Sequence, residues 1–174
     1  LTMVDVPRGT YCADIGTGAG FPSLPMNIYR PDLKFTLIDS LGKRITYLNL
    51  ACEKIGLNCK TIHARSEEAA KKPELREQFG FVTARAVAQM YFLLEVSIPM
   101  LKVGKYFIGM KGNIENEIDY NYALSKLDAT QESIKKFTLP LENSNRTLIK
   151  INKLSPTPKL FPRKYNDIKK KPLI

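Results

Sequence analysis

The sequence predicts an α/β domain on a mostly parallel, seven-stranded sheet with an antiparallel hairpin at its carboxyl-terminal edge. Three observations carry this. As far as Leu127, short β-branched or apolar runs alternate with longer amphipathic stretches, the rhythm of βα units whose parallel sheet is covered on both faces. After Leu127 two strand-like runs follow one another with no helix between them. A glycine-rich turn also stands directly behind the first strand, where open α/β sheets place a ligand loop.

Taken in order, Thr10–Ile15 is the first strand, followed by a helix over Pro22–Tyr29 with Pro22 in the first turn, where its missing N–H costs nothing. Lys34–Asp39 is the second strand. The next helix, Lys43–Ile55, sets Ile45, Leu48, Ala51, Cys52 and Ile55 on one face and stops at Gly56. Asn58–His63 is the third strand and Glu67–Glu77 its helix; Phe81–Ala84 is the fourth, followed by Ala88–Leu101. Tyr106–Met110 is the fifth, followed by Ile114–Leu127. Glu132–Leu139 and Thr147–Leu154 make the hairpin, joined by Pro140–Arg146. From Ser155 on, Pro156, Pro158, Pro162 and Pro172 interleave with lysines, which predicts an extended tail without regular structure. The expected organisation is one domain over 1–154 and a basic tail over 155–174.

A chain of 174 residues suffices for one well-buried domain and not for two. With 44% hydrophobic and 25% charged residues it reads as soluble and globular. No run has the length of a transmembrane helix and the start lacks a signal-peptide layout, so no membrane partner is expected. The first residue, Leu1, predicts a trimmed chain with an upstream segment missing. Cys12, Cys52 and Cys59 are odd in number and form no C-x-x-C pair, which suits reduced thiols inside the cell. His63 is the only histidine; no metal site is expected, and a hydrogen-bonded side chain at a strand end is the simple reading.

The net charge of +10 is uneven. Lys150, Lys153, Lys159, Arg163, Lys164, Lys169, Lys170 and Lys171 face one acid, Asp167, from position 150 to the end. Such a field suits a polyanion, because each neutralised phosphate releases counterions; a solubilising tail is the alternative. Arg163, Lys164, Lys169, Lys170 and Lys171 are the candidate nucleic-acid contacts. Phe161 and Tyr165 either stack on bases between them or pack back onto the domain.

Tyr11-Cys12-Ala13-Asp14-Ile15 runs straight into Gly16-x-Gly18-x-Gly20. Glycines allow a tight turn and close approach to a ligand, and the following helix start offers N–H groups to an anion. Dinucleotide folds favour a third glycine one residue later; acidic-x-G-x-G-x-G is the spelling associated with S-adenosylmethionine domains, with a nicotinamide enzyme or a plain glycine turn as alternatives. Asp39 ends the second strand, where a carboxylate accepts from ribose hydroxyls. Ser66 and Glu67 follow the third strand on the adenine side, although Glu67 also fits a helix first turn. The fourth strand ends in Thr83-Ala84-Arg85-Ala86-Val87, without the Asn/Asp-Pro-Pro run of amine methylation or the Pro-Cys of pyrimidine 5-methylation. An acceptor with a free lone pair, such as guanine N7, needs neither; positioning supplies the acceleration. Arg85 is a candidate to hold the cofactor, a guanine O6 or a phosphate, with a structural ion pair as the alternative. Lys111, beside Gly112, is a second pocket-rim candidate, against a solvated strand end.

The runs Asp14–Pro22, Leu37–Ile45, Val82–Ala88, Lys111-Gly112 and Thr157–Lys164 closely resemble the bacterial 16S rRNA guanine-N7 methyltransferases, also called glucose-inhibited division protein B or ribosomal RNA small subunit methyltransferase G. The resemblance implies a Rossmann-like class I S-adenosylmethionine-dependent methyltransferase fold. It implies methylation of N7 of one guanine in the 530 loop of 16S rRNA, in the cytoplasm, on 16S rRNA or the 30S subunit; a monomer is expected. Carried over by motif, Asp14, Gly16, Gly18, Gly20 and Phe21 are cofactor-loop residues. Asp39, Ser40 and Leu41 lie on the ribose side, Ser66 and Glu67 on the adenine side, and Arg85 in the active site. Three departures stand out: the family's N-terminal helical region is absent, Ser23 stands where glycine is common, and Asn166 replaces a glycine whose left-handed turn asparagine tolerates. A small-molecule methyltransferase and a non-catalytic RNA-binding module that keeps the cofactor fold are the competing functions.

Overall fold

The computed structural model describes residues 5–85 and 88–174; Ala86 and Val87 of the fourth-strand run lie outside the described residues. Seven strands form one sheet: β1 (Tyr11–Ile15), β2 (Lys34–Asp39), β3 (Lys60–His63), β4 (Phe79–Arg85), β5 (Leu101–Lys111), β6 (Ala129–Thr138) and β7 (Asn145–Lys153). Their order is β3-β2-β1-β4-β5-β7-β6. The first five pair in parallel, whereas β7 runs antiparallel to both β5 and β6. This is the predicted sheet. The order reverses between β1 and β4, which opens a crevice at their carboxyl ends, the usual ligand position of such sheets.

Alternation along the strands sends neighbouring side chains to opposite faces. Cys12, Phe35, Leu37, Phe81 and Ile108 pack under α1 (Ser23–Tyr29) and α2 (Gly42–Ile55), against Leu24, Leu48 and Cys52. Ala13, Ile15, Val82, Phe107, Ile149 and Ile151 face the other way. They meet Leu93 and Leu94 of α4 (Met90–Ser97) and Leu127 of α5 (Asn121–Leu127). Within α2 only Leu48 and Cys52 are fully buried; Ile55, expected on that face, is 49% exposed beside the left-handed Gly56 cap.

Three helices are shorter than predicted, each for a local reason. α3 (Ser66–Ala69) was expected to reach Glu77, but Pro73 removes a donor and disfavours helix at Lys72. α4 gives way to a single 3-10 turn at Ile98–Met100, where Pro99 interrupts the ladder. α5 begins only at Asn121. Upstream, the Asn113 and Asp119 side chains accept the N–H groups of Glu115 and Asn121, diverting backbone donors from a helix.

The largest departure is the carboxyl-terminal segment. The extended tail expected from its prolines ends instead in a helix, α6 (Tyr165–Lys170), folded onto the domain. Phe161, Ile168 and Leu173 are buried in the same core as α4 and the sheet. Charged groups hold the segment down. Glu95, fully buried, takes Arg163 Nε at 2.8 Å, Nη2 at 2.6 Å and the Arg163 N–H at 2.9 Å. Arg76 donates to the carbonyls of Thr157 and Phe161, each at 2.7 Å. Lys153, with no exposed surface, donates to Glu77 at 2.7 Å and to the Leu101 carbonyl at 2.8 Å. Burial pulls the Lys153 ammonium below its ordinary range, against the support of Glu77. Asn166 lies within α6 and needs no left-handed turn. Among the described residues no helix is long and apolar enough to cross a membrane.

Candidate active site

The glycine loop leaves β1 and is tied to the neighbouring strand by its own backbone. Gly16 and Thr17 donate their N–H groups to the Ile38 carbonyl at 2.8 and 3.2 Å. Gly18 has φ +61°, and a Cβ there would meet only the Gly16 carbonyl oxygen, at 3.9 Å, so the loop presents bare backbone there. Gly20 serves packing: at φ +89° a Cβ would lie 2.5 Å from the Leu24 side chain. Asp39 anchors the opposite side. Its Oδ2 accepts from Gly18 N at 2.9 Å and Arg44 Nη1 at 3.2 Å, and its Oδ1 from Leu41 N at 2.9 Å.

Between these two walls lies a cleft of about 350 Å³, within the range of small-molecule sites. Of the residues expected at a cofactor, Gly16, Gly18, Phe21, Asp39, Ser40, Ser66 and Arg85 line it. Arg85, at the end of β4, holds its guanidinium 5.7 Å from the centre of the Phe21 ring. Thr17, Ile38, Arg44 and Ala64 also line the cleft and were not singled out in the sequence. Arg44 had a signal: it lies one turn into α2, five residues beyond Asp39, where a helical side chain reaches back to the strand end.

Four expected residues stand elsewhere. Asp14 lies fully buried beneath the loop, where Ser23 Oγ donates to its Oδ2 and sits 3.3 Å from Thr17 Oγ1. Burial pushes the Asp14 carboxyl up to about 6, against the Ser23 and Thr17 hydroxyls and the charge of Arg85. Its Oδ1 has no partner among the described residues. Ser23, the departure from glycine, therefore caps a buried carboxyl. Gly20 packs against Leu24, and Leu41 contributes its N–H to Asp39 while its side chain is exposed. Glu67 faces an adjoining hollow that shares Ser40 and Ser66 with the cleft. The anion-binding helix start is also weaker than expected: Leu24 N and Met26 N donate to the carbonyls of Gly20 and Pro22, and Pro25 has no N–H.

Lys111 does not line the cleft. Its ammonium is held by Glu117 and the Ala88 carbonyl, each at 2.7 Å, while the other Glu117 oxygen accepts the Met90 N–H at the start of α4. It works as a buttress. His63, as expected, finds a partner at its strand end, with Nε2 3.1 Å from the Ser40 carbonyl. Of the eight basic residues from Lys150 on, Lys150, Lys153 and Arg163 are paired with Glu132, Glu77 and Glu95. Lys159, Lys164, Lys169, Lys170 and Lys171 are exposed.

Residues 1–149 match the model of a family described as rRNA small subunit methyltransferase G, GidB. The chain is 47% identical over 163 residues to the ribosomal RNA small subunit methyltransferase G of Clostridium perfringens, covering 92% of this chain and 68% of that one. It is 41% identical over 177 residues to the protein of the same name from Desulfitobacterium hafniense, covering 100% and 74%. Among solved structures it is similar to a geranyl diphosphate methyltransferase in complex with SAM, with a TM-score of 0.66 at 12% identity over 86% of this chain and 80% of that one.

Proposed function

The chain belongs to the family of rRNA small subunit methyltransferase G, and from that premise we propose that it transfers a methyl group from S-adenosylmethionine to N7 of a guanine in the 530 loop of 16S rRNA. The observation that carries the cofactor assignment is the cleft in which Gly18 and Asp39 face each other at the switch point of the sheet. The residues fit the group. Asp39 is placed for ribose hydroxyls, and the bare backbone at Gly18 leaves room for close approach. Arg85 is the cation on the loop side, suited to a carboxylate. The unpartnered Asp14 Oδ1 beneath the loop is an acceptor toward which a bound ammonium can be drawn.

The cofactor, when bound, supplies a methyl group on a sulfonium. Guanine N7 carries a lone pair and no proton, so this chain needs no general base for the step. That agrees with a cleft whose charged side chains are Asp39, Arg44 and Arg85. The work of the residues is to bind, align and exclude water. Arg85, next to Phe21 at the mouth of the cleft, also suits the O6/N7 edge of an incoming guanine. Lys164, Lys169, Lys170 and Lys171 give the RNA a cationic approach, while Arg163 is held by Glu95.

The test is mass mapping of 16S rRNA from cells with and without the gene, together with calorimetry of the purified chain. The 7-methylguanosine fragment is expected only when the gene is present, and heat with S-adenosylmethionine is expected from the chain alone. RNA binding without any heat from the cofactor would leave a non-catalytic RNA-binding module instead.

A further inference from the structure

We propose that the carboxyl-terminal helix α6 is a wall of the cofactor site: Tyr165, flanked by Arg65 and Lys169, closes the end of the cleft that receives the purine ring. This rests on the reading that the cofactor is S-adenosylmethionine. The segment that breaks the βα pattern then belongs to the methyl-donor site, in addition to any contact it makes with RNA.

The direction of the cleft supports it. Across the sheet order, Arg85 at the end of β4 and the glycine loop after β1 lie to one side, Asp39 at the end of β2 comes next, and Ser66 follows the outer strand β3. A nucleoside whose ribose meets Asp39, with its amino-acid end at the glycine loop, carries its base past Ser40 and Ser66. Those two serines are shared with the adjoining hollow of about 480 Å³. Its walls include Glu67, Gln89, Tyr165 and Lys169. Glu67 is only 4% exposed and forms no ion pair among the described residues, so the exocyclic amine of a purine offers its carboxylate a donor.

The outer wall comes from a segment more than ninety residues downstream of Glu67, and its ring is fixed. Tyr165 meets Phe92 edge-on, with ring centres 5.9 Å apart and planes at 79°. The guanidinium of Arg65 lies 4.8 Å and the ammonium of Lys169 5.2 Å from the centre of the Tyr165 ring. On either side of Tyr165 in the chain, Arg163 is clamped by Glu95 and Ile168 is fully buried. A ring held by Phe92, Arg65 and Lys169 closes the hollow without first losing its own freedom.

The chain contains no tryptophan, so Tyr165→Trp places a single indole reporter in this wall. Titration with S-adenosylhomocysteine is expected to change its emission saturably, with the Kd that calorimetry gives for the same variant. Tyr165→Ala is expected to weaken S-adenosylhomocysteine about tenfold. Adenosine alone should lose the same factor, because the missing contact is with the base. Lys169→Ala, whose exposed side chain leaves the core intact, should weaken both by a smaller factor. Unchanged indole emission at saturating ligand overturns the proposal, as does wild-type affinity in Tyr165→Ala at an unchanged Tm. If Tyr165→Ala melts early, the emission of Tyr165→Trp decides. A wild-type chain that gives no heat with S-adenosylhomocysteine overturns the cofactor reading itself, and this proposal with it.

Discussion

The glycine loop and the carboxyl-terminal segment are both held by charged groups, yet by opposite means. At the loop, Asp39 gathers two backbone N–H groups and one half-exposed arginine, all within 21 positions of it in the chain. Beneath the carboxyl-terminal segment, Glu95 of α4 and Lys153 at the end of β7 are buried and reach partners 68 and 76 positions away. The first arrangement leaves its acid at the edge of a cleft, available to a ligand. The second buries its charges away from the cleft, where each depends on its partner. A local anchor that lines the cleft serves binding, and a distant one that ties down a segment serves integrity.

Substitutions in the two regions should separate these roles. The largest effect belongs to Arg163→Ala, which strands the Glu95 carboxylate in the core; unfolding stability should fall by about 3–5 kcal/mol in chemical denaturation. A loss within the range of an exposed ion pair would erase the contrast. Next comes Asp14. Its carboxyl, raised to about 6 mainly by burial, holds a proton in the folded state that the unfolded chain has released between about pH 4 and pH 6. Stability therefore falls as pH rises through that window, and Asp14→Asn should gain up to about 3 kcal/mol on the wild type between about pH 4 and pH 7. Parallel pH profiles of the two proteins would mean that Asp14 titrates normally.

Asp39→Ala should weaken cofactor binding by about 1–3 kcal/mol, measured by calorimetry, through lost charge-assisted hydrogen bonds. Unchanged affinity would place the ribose elsewhere. The smallest effect is expected from neutralising Lys169, Lys170 and Lys171 together, which should flatten the salt dependence of RNA binding by at most about 0.9 in log–log slope per lost phosphate contact. An unaltered slope would leave these lysines without a part in the RNA interface.

The same contrast explains what could be read from the chain. β2 matches its predicted span, Lys34–Asp39, end to end, and the other strands were located. The reason is that β-branched, apolar runs bounded by turns are local signals. The cleft was legible where it follows from backbone geometry: Gly16, Gly18 and Asp39 are fixed by their positions at strand ends. Asp14 and Gly20 belong to the same motif but serve it from below, one as a buried acid and one as a packing site; spacing cannot separate lining from support. Lys111 illustrates the limit, since its partner Glu117 lies in a stretch that the apolar pattern assigned to a helix. The docking of Arg163 on Glu95 had no local signal. Prolines and lysines read as an open tail, and only the fold brings a buried carboxylate to meet them.

One consequence concerns the order in which the molecule is made. Phe161, Ile168 and Leu173 complete a core whose other members begin at Ala13, and Arg76 waits for carbonyls as far along as Phe161. Folding of a nascent chain generally proceeds from its amino-terminal side, but here the closing pieces follow every strand of the sheet in the chain. A product cut short by about twenty residues, just after β7, would contain every strand of the sheet and still expose its apolar underside. Apolar surface exposed in that way is what chaperones and proteases act on.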